Sequence, residues 1–298
     1  MSRSSLSAES YPLTTRPGGL EPPLGHGRPE DANRHRGPRY LSAVGLRPFA
    51  DRTATLEQIG EVPAPIEISL LGTFGVRVGA SRFPVTSRCS QRLLVFLALH
   101  DRILARVAIA GTIWPEVTDE KAGVSLRSSL SRLGKPMREA IVAAPLDLHL
   151  ATNVTVDYRE SQALAHRLLQ VESPPRQSDL TADAISALSD ELLPDWYDDW
   201  VVAEAEDWRQ LRMTALEAQA RILTACGRLP EAAGAARAAM RAEPLRESAH
   251  ASLIRVHLAE GNQSEALRVF DRYRALLLDE LDLEPTPLLS DLLASIHK

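Results

Sequence analysis

The segment from Glu120 to Met137, EKAGVSLRSSLSRLGKPM, combines basic and hydroxyl side chains with regularly spaced leucines. At about 100° per residue on a helix, Leu126, Leu130 and Leu133 fall on one apolar stripe together with Met137. The other side of this predicted helix carries Lys121, Val124, Ser128, Ser131, Arg132 and Lys135, with Arg127 on a flank. The apolar stripe is typical of a helix packed on a core, which leaves the basic side outward.

The outward side chains have the chemistry that reads a nucleic-acid groove. Arginine pairs with the guanine edge, serine binds bases or phosphates, lysine neutralises phosphate, and a small apolar side chain contacts a thymine methyl group. Asp119 and Glu120 are expected in the first helical turn, where they suit the positive end of the helix dipole. The same pattern also fits an ordinary amphipathic helix with a solvated basic face, and this segment alone leaves both interpretations open.

The preceding residues predict the elements that would position this helix. Alternating apolar residues over Ile66–Val78, around Gly72, predict a β-hairpin. The apolar segment SQRLLVFLALHD predicts a buried helix with Ser90 as its N-cap. The segment ARVAIAGTIWPEV predicts a second, short helix that ends at Pro115.

The segment after Met137 predicts strands joined by turns. Ile141, Leu148 and Leu150, with Leu146, Val154 and Val156, alternate with polar residues around Pro145 and Asn153. A small sheet, three helices and a hairpin, in that order, predict a winged helix-turn-helix domain over residues 65–160. In such a domain the third helix enters the major groove and the hairpin acts as a wing.

The C-terminal region, residues 161–298, predicts a helical repeat. The pairs Gly227 and Gly261, Ala232 and Ala266, Ala236 and Phe270, and Ala239 and Tyr273 are each separated by 34 residues. This is the tetratricopeptide period, and stacked repeats of this kind usually contact other proteins. The predicted fold class is therefore mainly α with a small β component, a winged helix followed by a tetratricopeptide-like domain.

Charge divides the chain in the same way. Residues 66–160 hold 12 basic and 9 acidic side chains, whereas residues 161–298 hold 14 and 23, within an overall net charge of -5. A basic region joined to an acidic region suits a protein whose basic region, residues 66–160, binds a polyanion. No apolar run approaches the length of a membrane span and the first thirty residues lack the apolar core of a secretory signal, so we expect no membrane contact and a cytoplasmic location.

Residues 1–64 are rich in proline, glycine, serine and arginine without periodicity, which predicts a disordered extension. A transient helix near YLSAVGLRPFA, a mis-assigned start and a tail that touches DNA through its arginines are alternatives. Cys89 and Cys226 match no metal spacing and are expected to be reduced thiols.

These segments resemble a known family. LLGTFGVRV, SQRLLVFLALHD, IAGTIWPEV and SLRSSLSRLGK, followed by ELLPDWYDDWVVAEAEDWRQLRMTALE and GNQSEALRVFDRYRALLLDELDLEPTPLL, are similar to the Streptomyces antibiotic regulatory proteins. In that family an OmpR-type winged helix precedes a bacterial transcriptional activator domain, and the resemblance covers roughly Ile66 to His297.

The resemblance implies a sequence-specific DNA-binding activator, for example of a biosynthetic gene cluster. Its expected partners are promoter direct repeats in double-stranded DNA and RNA polymerase, with homodimers forming on the DNA. By motif position, Arg127, Ser128, Ser131, Arg132 and Lys135 would face DNA. The sequence departs from the family at Gly134, where many relatives carry arginine, and at the hairpin AAPLDLHL, which lacks a glycine-rich basic tip. No nucleotide-binding or receiver domain is present in the sequence, so the resemblance is to the small members and does not predict control by phosphorylation.

Motifs for catalysis were also sought. The sequence contains no P-loop, no dinucleotide fingerprint, no G-x-S-x-G and no H-E-x-x-H. Asp195, Asp198 and Asp199 lie among tryptophans without calcium-loop spacing, which favours an aromatic patch with a capping aspartate over a cation site. We therefore expect no enzyme activity and no cofactor. The alternative function is a tetratricopeptide-type adaptor that does not bind DNA.

Overall fold

A computed structural model describes residues 64–170 and 174–294 of the chain. The extension predicted to be disordered falls, except for its last residue, outside the described residues. Near the start, β1 (Ile66–Ser69) and β2 (Gly75–Val78) form the predicted antiparallel hairpin. Gly72 adopts a positive φ of 72° in the turn between them, a conformation that favours glycine.

Two small sheets frame the N-terminal helices. The first has the strand order β3 (Ser81–Arg82), β2, β1 and β7 (Val154–Val156), with β7 parallel to β1. The second has the order β4 (Leu104–Ala105), β6 (Asp147–Leu150) and β5 (Ile141–Ala143). The hairpin predicted after Met137 is therefore β5 and β6, while β4 and the parallel pairing of β7 went unpredicted.

The three predicted helices are α1 (Arg88–Leu99), α2 (Arg106–Ile113) and α3 (Asp119–Ser131), followed by a short α4 (Lys135–Glu139). The N-cap prediction for α1 was wrong: Ser87 caps it by accepting from the Ser90 N–H. Ser90 is buried within the first turn, and its hydroxyl donates to the Ser129 carbonyl of α3 at 2.9 Å.

Helices make up the rest of the chain. They are α5 (Asp157–Leu169), α6 (Ala182–Ala187), α7 (Asp199–Ala225), α8 (Leu229–Ala242), α9 (Glu247–Ala259), α10 (Gln263–Leu281) and α11 (Pro287–Ala294). The predicted 34-residue repeat consists of two helix pairs, α7 with α8 and α9 with α10. Gly227 and Gly261 end the first helix of each pair with a positive φ of 73° and 72°. Small residues lie where the pairs meet, because Ala232, Ala236 and Ala266 are fully buried.

The sheet region and the helical repeat share one continuous apolar core. The backbone joins them as well: the Leu193 N–H donates to the Leu70 carbonyl at 3.0 Å and the Gly72 N–H donates to the Glu191 carbonyl at 2.7 Å. Leu193 has a φ of 44°, the left-handed region, so this link holds a strained residue in place.

Side chains from the aspartate-rich segment before α7 reinforce the joint. Asp198 lies 2.5 Å from Arg92 and 3.7 Å from Arg88, both on α1. The Arg88 guanidinium stacks over the Trp196 ring at 3.8 Å, a cation–π contact. The expected aromatic patch is therefore present at Trp196, whereas the neighbouring Tyr197 is 82% exposed.

Helix α5 connects the two regions through side-chain hydrogen bonds to α1 and to α7. Arg159 donates to the Leu97, Ala98 and His100 carbonyls at 2.6–2.8 Å, and so places a cation at the C-terminus of α1. The buried Tyr158 hydroxyl donates to Glu204 of α7 at 2.6 Å. Burial and this carboxylate raise the pKa of Tyr158, so the phenol remains a donor.

Candidate nucleic-acid interface

Helix α3 packs its inner face on α1 and α2 and turns its basic side away from them. Ala122, Leu126 and Ser129 are buried, and the Ser129 hydroxyl donates to the Ser125 carbonyl at 2.8 Å. Asp119 and Glu120 lie in the first turn, as predicted, where they favour the helix dipole. The bond from Ser90 to the Ser129 carbonyl fixes the rotation of α3 relative to α1.

The prediction of one continuous helix from Glu120 to Met137, with its DNA-binding part over residues 120–135, was wrong at its C-terminal end. Helix α3 ends at Ser131 with Arg132 as its C-cap, and α4 begins at Lys135. Pro136 accounts for the break, since its ring disfavours a helix through the preceding residues and it has no N–H to donate. The buried Leu133 and Met137 thus reach the core from separate elements.

The seven predicted DNA-facing residues lie on one continuous stretch of surface. All are exposed except Ser128, which is half-buried. The set consists of Lys121, Val124, Arg127, Ser128 and Ser131 on α3, Arg132 at its cap and Lys135 at the start of α4. Val124 is 53% exposed, which for an apolar residue on a helix leaves it free to contact a ligand.

The charges on this surface are largely unneutralised. Among the described residues, Lys121, Arg127 and Arg132 have no ion-pair partner, whereas Lys135 lies 3.8 Å from Glu139 with 81% of its side chain exposed. The Ser131 hydroxyl donates to the Ser128 carbonyl at 2.9 Å, which leaves its oxygen able to accept. Such a face offers cations and small polar groups to a polyanion.

The hairpin tip approaches the same surface through a residue that the sequence did not single out. Arg106, the first residue of α2, donates from its side-chain Nε to the Ala144 carbonyl at 2.9 Å and from its backbone N–H to the Leu146 carbonyl at 2.8 Å. A groove of about 280 Å³ lies between α2, α3 and this tip, and Arg106 and Arg127 both line it. The signal that would have found Arg106 is the short β4 strand, which pairs with β6 and brings the start of α2 to the hairpin.

Gly134 lies where the ring of Phe83 covers the turn between α3 and α4. A Cβ at this glycine would lie 2.5 Å from the Phe83 Cζ atom. Any larger side chain at this position would therefore meet the aromatic ring of Phe83, which follows β3 of the first sheet.

The described residues offer little for a metal or a membrane. Across residues 64–170 and 174–294, no group of three or more histidine, cysteine, aspartate or glutamate residues could hold a metal ion. Within the same ranges, no helix is long and apolar enough to cross a membrane. Cys89 and Cys226 are free thiols.

Comparison with known proteins follows the same division. Residues 156–297 match the family model of the bacterial transcriptional activator domain. The regulatory protein AfsR of Streptomyces griseus is 27% identical over 248 residues, which are 76% of this chain and 24% of AfsR. Both matches make this chain similar to regulators of the Streptomyces antibiotic regulatory protein type. It spans about a quarter of the length of AfsR.

A solved structure shares the fold of this chain. It is Mycobacterium tuberculosis EmbR in complex with a low affinity phosphopeptide, and it matches with a TM-score of 0.58 at 24% identity. The match covers 78% of this chain and 65% of EmbR. The predicted fold class, a winged helix followed by a tetratricopeptide-like helical domain, is thereby confirmed.

The activator-domain match begins at the end of β7 and includes all of α5. The division that we predicted at residues 160 and 161 falls within α5. The domain boundaries of this regulator stay a prediction.

Proposed function

We propose that this regulator binds promoter DNA in a sequence-specific manner and activates transcription, with the exposed face of α3 in the major groove. The observation that carries this proposal is the set of three cations, Lys121, Arg127 and Arg132, that face outward without carboxylate partners among the described residues. These cations are spread over about three turns of helix, and in helix-turn-helix proteins such a helix lies in the major groove. The resemblance to the family supplies three further parts of the proposal, namely direct repeats as the binding site, biosynthetic genes as the targets and the cytoplasm as the location.

The hairpin supplies the second contact. Its tip holds Leu146, which is 76% exposed, and Arg106, which is hydrogen-bonded to this tip, supplies the positive charge that the hairpin itself lacks. We expect the hairpin to lie over the sugar-phosphate backbone beside α3, where an apolar tip and one cation fix orientation without reading bases.

The experiment is a fluorescence-anisotropy titration of the full chain against DNA tiles from upstream of its own and neighbouring genes, at two salt concentrations. Arg132→Ala is expected to cost about 1 to 3 kcal/mol on the preferred tile and to relax its specificity. Lys135→Ala is expected to weaken all tiles similarly and to lower the salt slope by about 1. Arg268→Ala, a substitution of an exposed arginine on α10, is the matched control and should leave DNA binding unchanged.

Uniformly weak binding that neither Arg132→Ala nor Lys135→Ala alters would contradict DNA reading by this surface. The alternative function, a protein-contact adaptor, has its own structural support: a cavity of about 500 Å³ lies along α7 and α9, with Arg221 and Arg255 at its edge. In the DNA-binding proposal this cavity is a surface for RNA polymerase or another protein, and two regulators would bind side by side on a direct repeat.

A further inference from the structure

A second large cavity opens between α8, α9 and α10, apart from the α3 surface and from the cavity along α7. Its volume is about 570 Å³, within the range of roughly 300 to 1,000 Å³ typical of small-molecule sites. Met240, Leu253 and Val269 contribute apolar surface, with Pro244 and Leu276 beside them. An apolar surface of this size, where the second helix of one repeat meets the next repeat, suits a compact ligand.

Three arginines also line the cavity, namely Arg237 and Arg241 of α8 and Arg272 of α10. All three are exposed, and within residues 64–170 and 174–294 none has a carboxylate partner. Their neighbours on α10 differ, because Arg268 pairs with Glu265 and Arg274 pairs with Glu284.

The cavity is lined by basic side chains although the surrounding region is acidic. Residues 161–298 carry nine more acidic than basic side chains, yet none of the described residues that line the cavity is acidic. Guanidinium groups bind carboxylate, sulfonate and phosphate through paired N–H donors. The lining therefore favours an anion.

His250 adds a polar group to the cavity wall. The residue is 5% exposed, and its Nε2 lies 2.8 Å from the Pro244 carbonyl oxygen. Because a carbonyl only accepts, Nε2 carries the proton and Nδ1 presents a lone pair. Nδ1 is buried without a hydrogen-bond partner among the described residues. Burial lowers the pKa of His250, which keeps the ring neutral near pH 7.

We propose that this cavity binds a small organic anion with an apolar body, one hydroxyl or N–H group and one carboxylate, sulfonate or phosphate. The apolar body lies on Leu253 and Val269, and the anionic group lies between the arginines of α8 and Arg272. The hydroxyl or N–H group donates toward His250. This site is independent of the α3 surface, so loss of DNA binding leaves it untouched.

The test uses two fluorescent probes that differ by a single group, titrated into the full chain. 1-Anilinonaphthalene-8-sulfonate has an apolar body, an N–H donor and a sulfonate, whereas N-phenyl-1-naphthylamine lacks the sulfonate. We expect the sulfonate probe to bind with a stoichiometry of one and at least about tenfold more tightly than the neutral probe. Arg272→Ala should weaken it about tenfold, and Arg268→Ala, one turn away on the same helix, should not.

Equal binding of the two probes, or sulfonate binding that Arg272→Ala and Arg237→Ala leave unchanged, would overturn the proposal. Failure of both probes to bind would overturn it as well. His250→Phe retains an aromatic ring against Tyr273, which lies 4.2 Å from the imidazole between ring centroids, and removes the acceptor. It should weaken the sulfonate probe several-fold. If that variant does not fold, by circular dichroism, the two surface arginine variants decide the matter.

Discussion

Neutralising Asp198 should lower the free energy of unfolding by weakening the contact between the winged helix and the helical repeat. Asp198 is 14% exposed and pairs with Arg92, which is 23% exposed, while its contact with the more exposed Arg88 is longer. Asp198→Asn keeps the size of the side chain and removes the charge. It leaves the Arg92 guanidinium without its carboxylate in a site where the Nε atom already has no hydrogen-bond partner among the described residues.

The expected cost follows from this degree of burial. Removing one member of a fully buried pair costs about 3–5 kcal/mol, and an exposed pair is worth about 0–1 kcal/mol. The pair of Asp198 and Arg92 lies between these limits, so we expect a loss of about 2 kcal/mol in the free energy of unfolding. For a folded region of this size, that lowers the melting temperature by about 4–8 °C.

Thermal and urea unfolding of the full chain would measure the effect. The matched control is Asp195→Asn, since Asp195 is exposed in the same segment and should stay within about 0.5 kcal/mol of the wild type. A double-mutant cycle with Arg92→Met should give a coupling of about 1 kcal/mol or more. Equal melting temperatures for the two aspartate variants, together with zero coupling in the cycle, would refute the reasoning.

Two further predictions concern stability. Gly134→Ala places a Cβ 2.5 Å from the Phe83 ring and should lower the free energy of unfolding in urea by about 1–3 kcal/mol. The same substitution in a Phe83→Leu background should cost less. An equal cost in both backgrounds would show that the Phe83 ring is not the source of the strain. The hydrogen bonds from Arg167 lower the pKa of Asp179, so the stability that this carboxylate contributes is present above its unfolded pKa, near 4, and is lost as pH falls through its lower folded pKa. Asp179→Asn should therefore flatten the acid limb of the stability curve, and an acid limb as steep as that of the wild type would contradict this assignment.

Much of the fold follows from local patterns in the sequence. The hairpin around Gly72 was predictable because period-two burial and a positive-φ glycine are both local signals. The 34-residue repeat was predictable because its glycines and alanines recur wherever helices must turn or touch, as Ala232 and Ala266 do. The inward position of Leu126 on α3 was likewise readable from spacing alone.

The features that were missed depend on contacts between distant residues or on a competing local rule. Pro136 should have ended the helix in our prediction, but the apolar stripe continued past it because Leu133 and Met137 return to the core from separate elements. Ser90 resembled an N-cap by type, yet it is buried because its partner is the Ser129 carbonyl, 39 residues away. Tertiary folding alone brings Arg106 to the hairpin tip and groups Arg237 with Arg272. Neither grouping leaves a periodic pattern in the sequence that could have predicted it.

The backbone link between Leu70 and Leu193 has a consequence for promoter geometry. With the strained Leu193, the Asp198 ion pairs and one shared core, it gives the helical repeat a single orientation relative to α3. Under the proposed binding to direct repeats, two copies of the chain on sites one DNA turn apart, about 10–10.5 base pairs, would point their helical repeats in the same direction. An insertion of about five base pairs would turn the second copy to the opposite side of the duplex. Under that proposal, a rigid joint of this kind would make the activity of a promoter depend on the phase of its direct repeats as well as on their sequence.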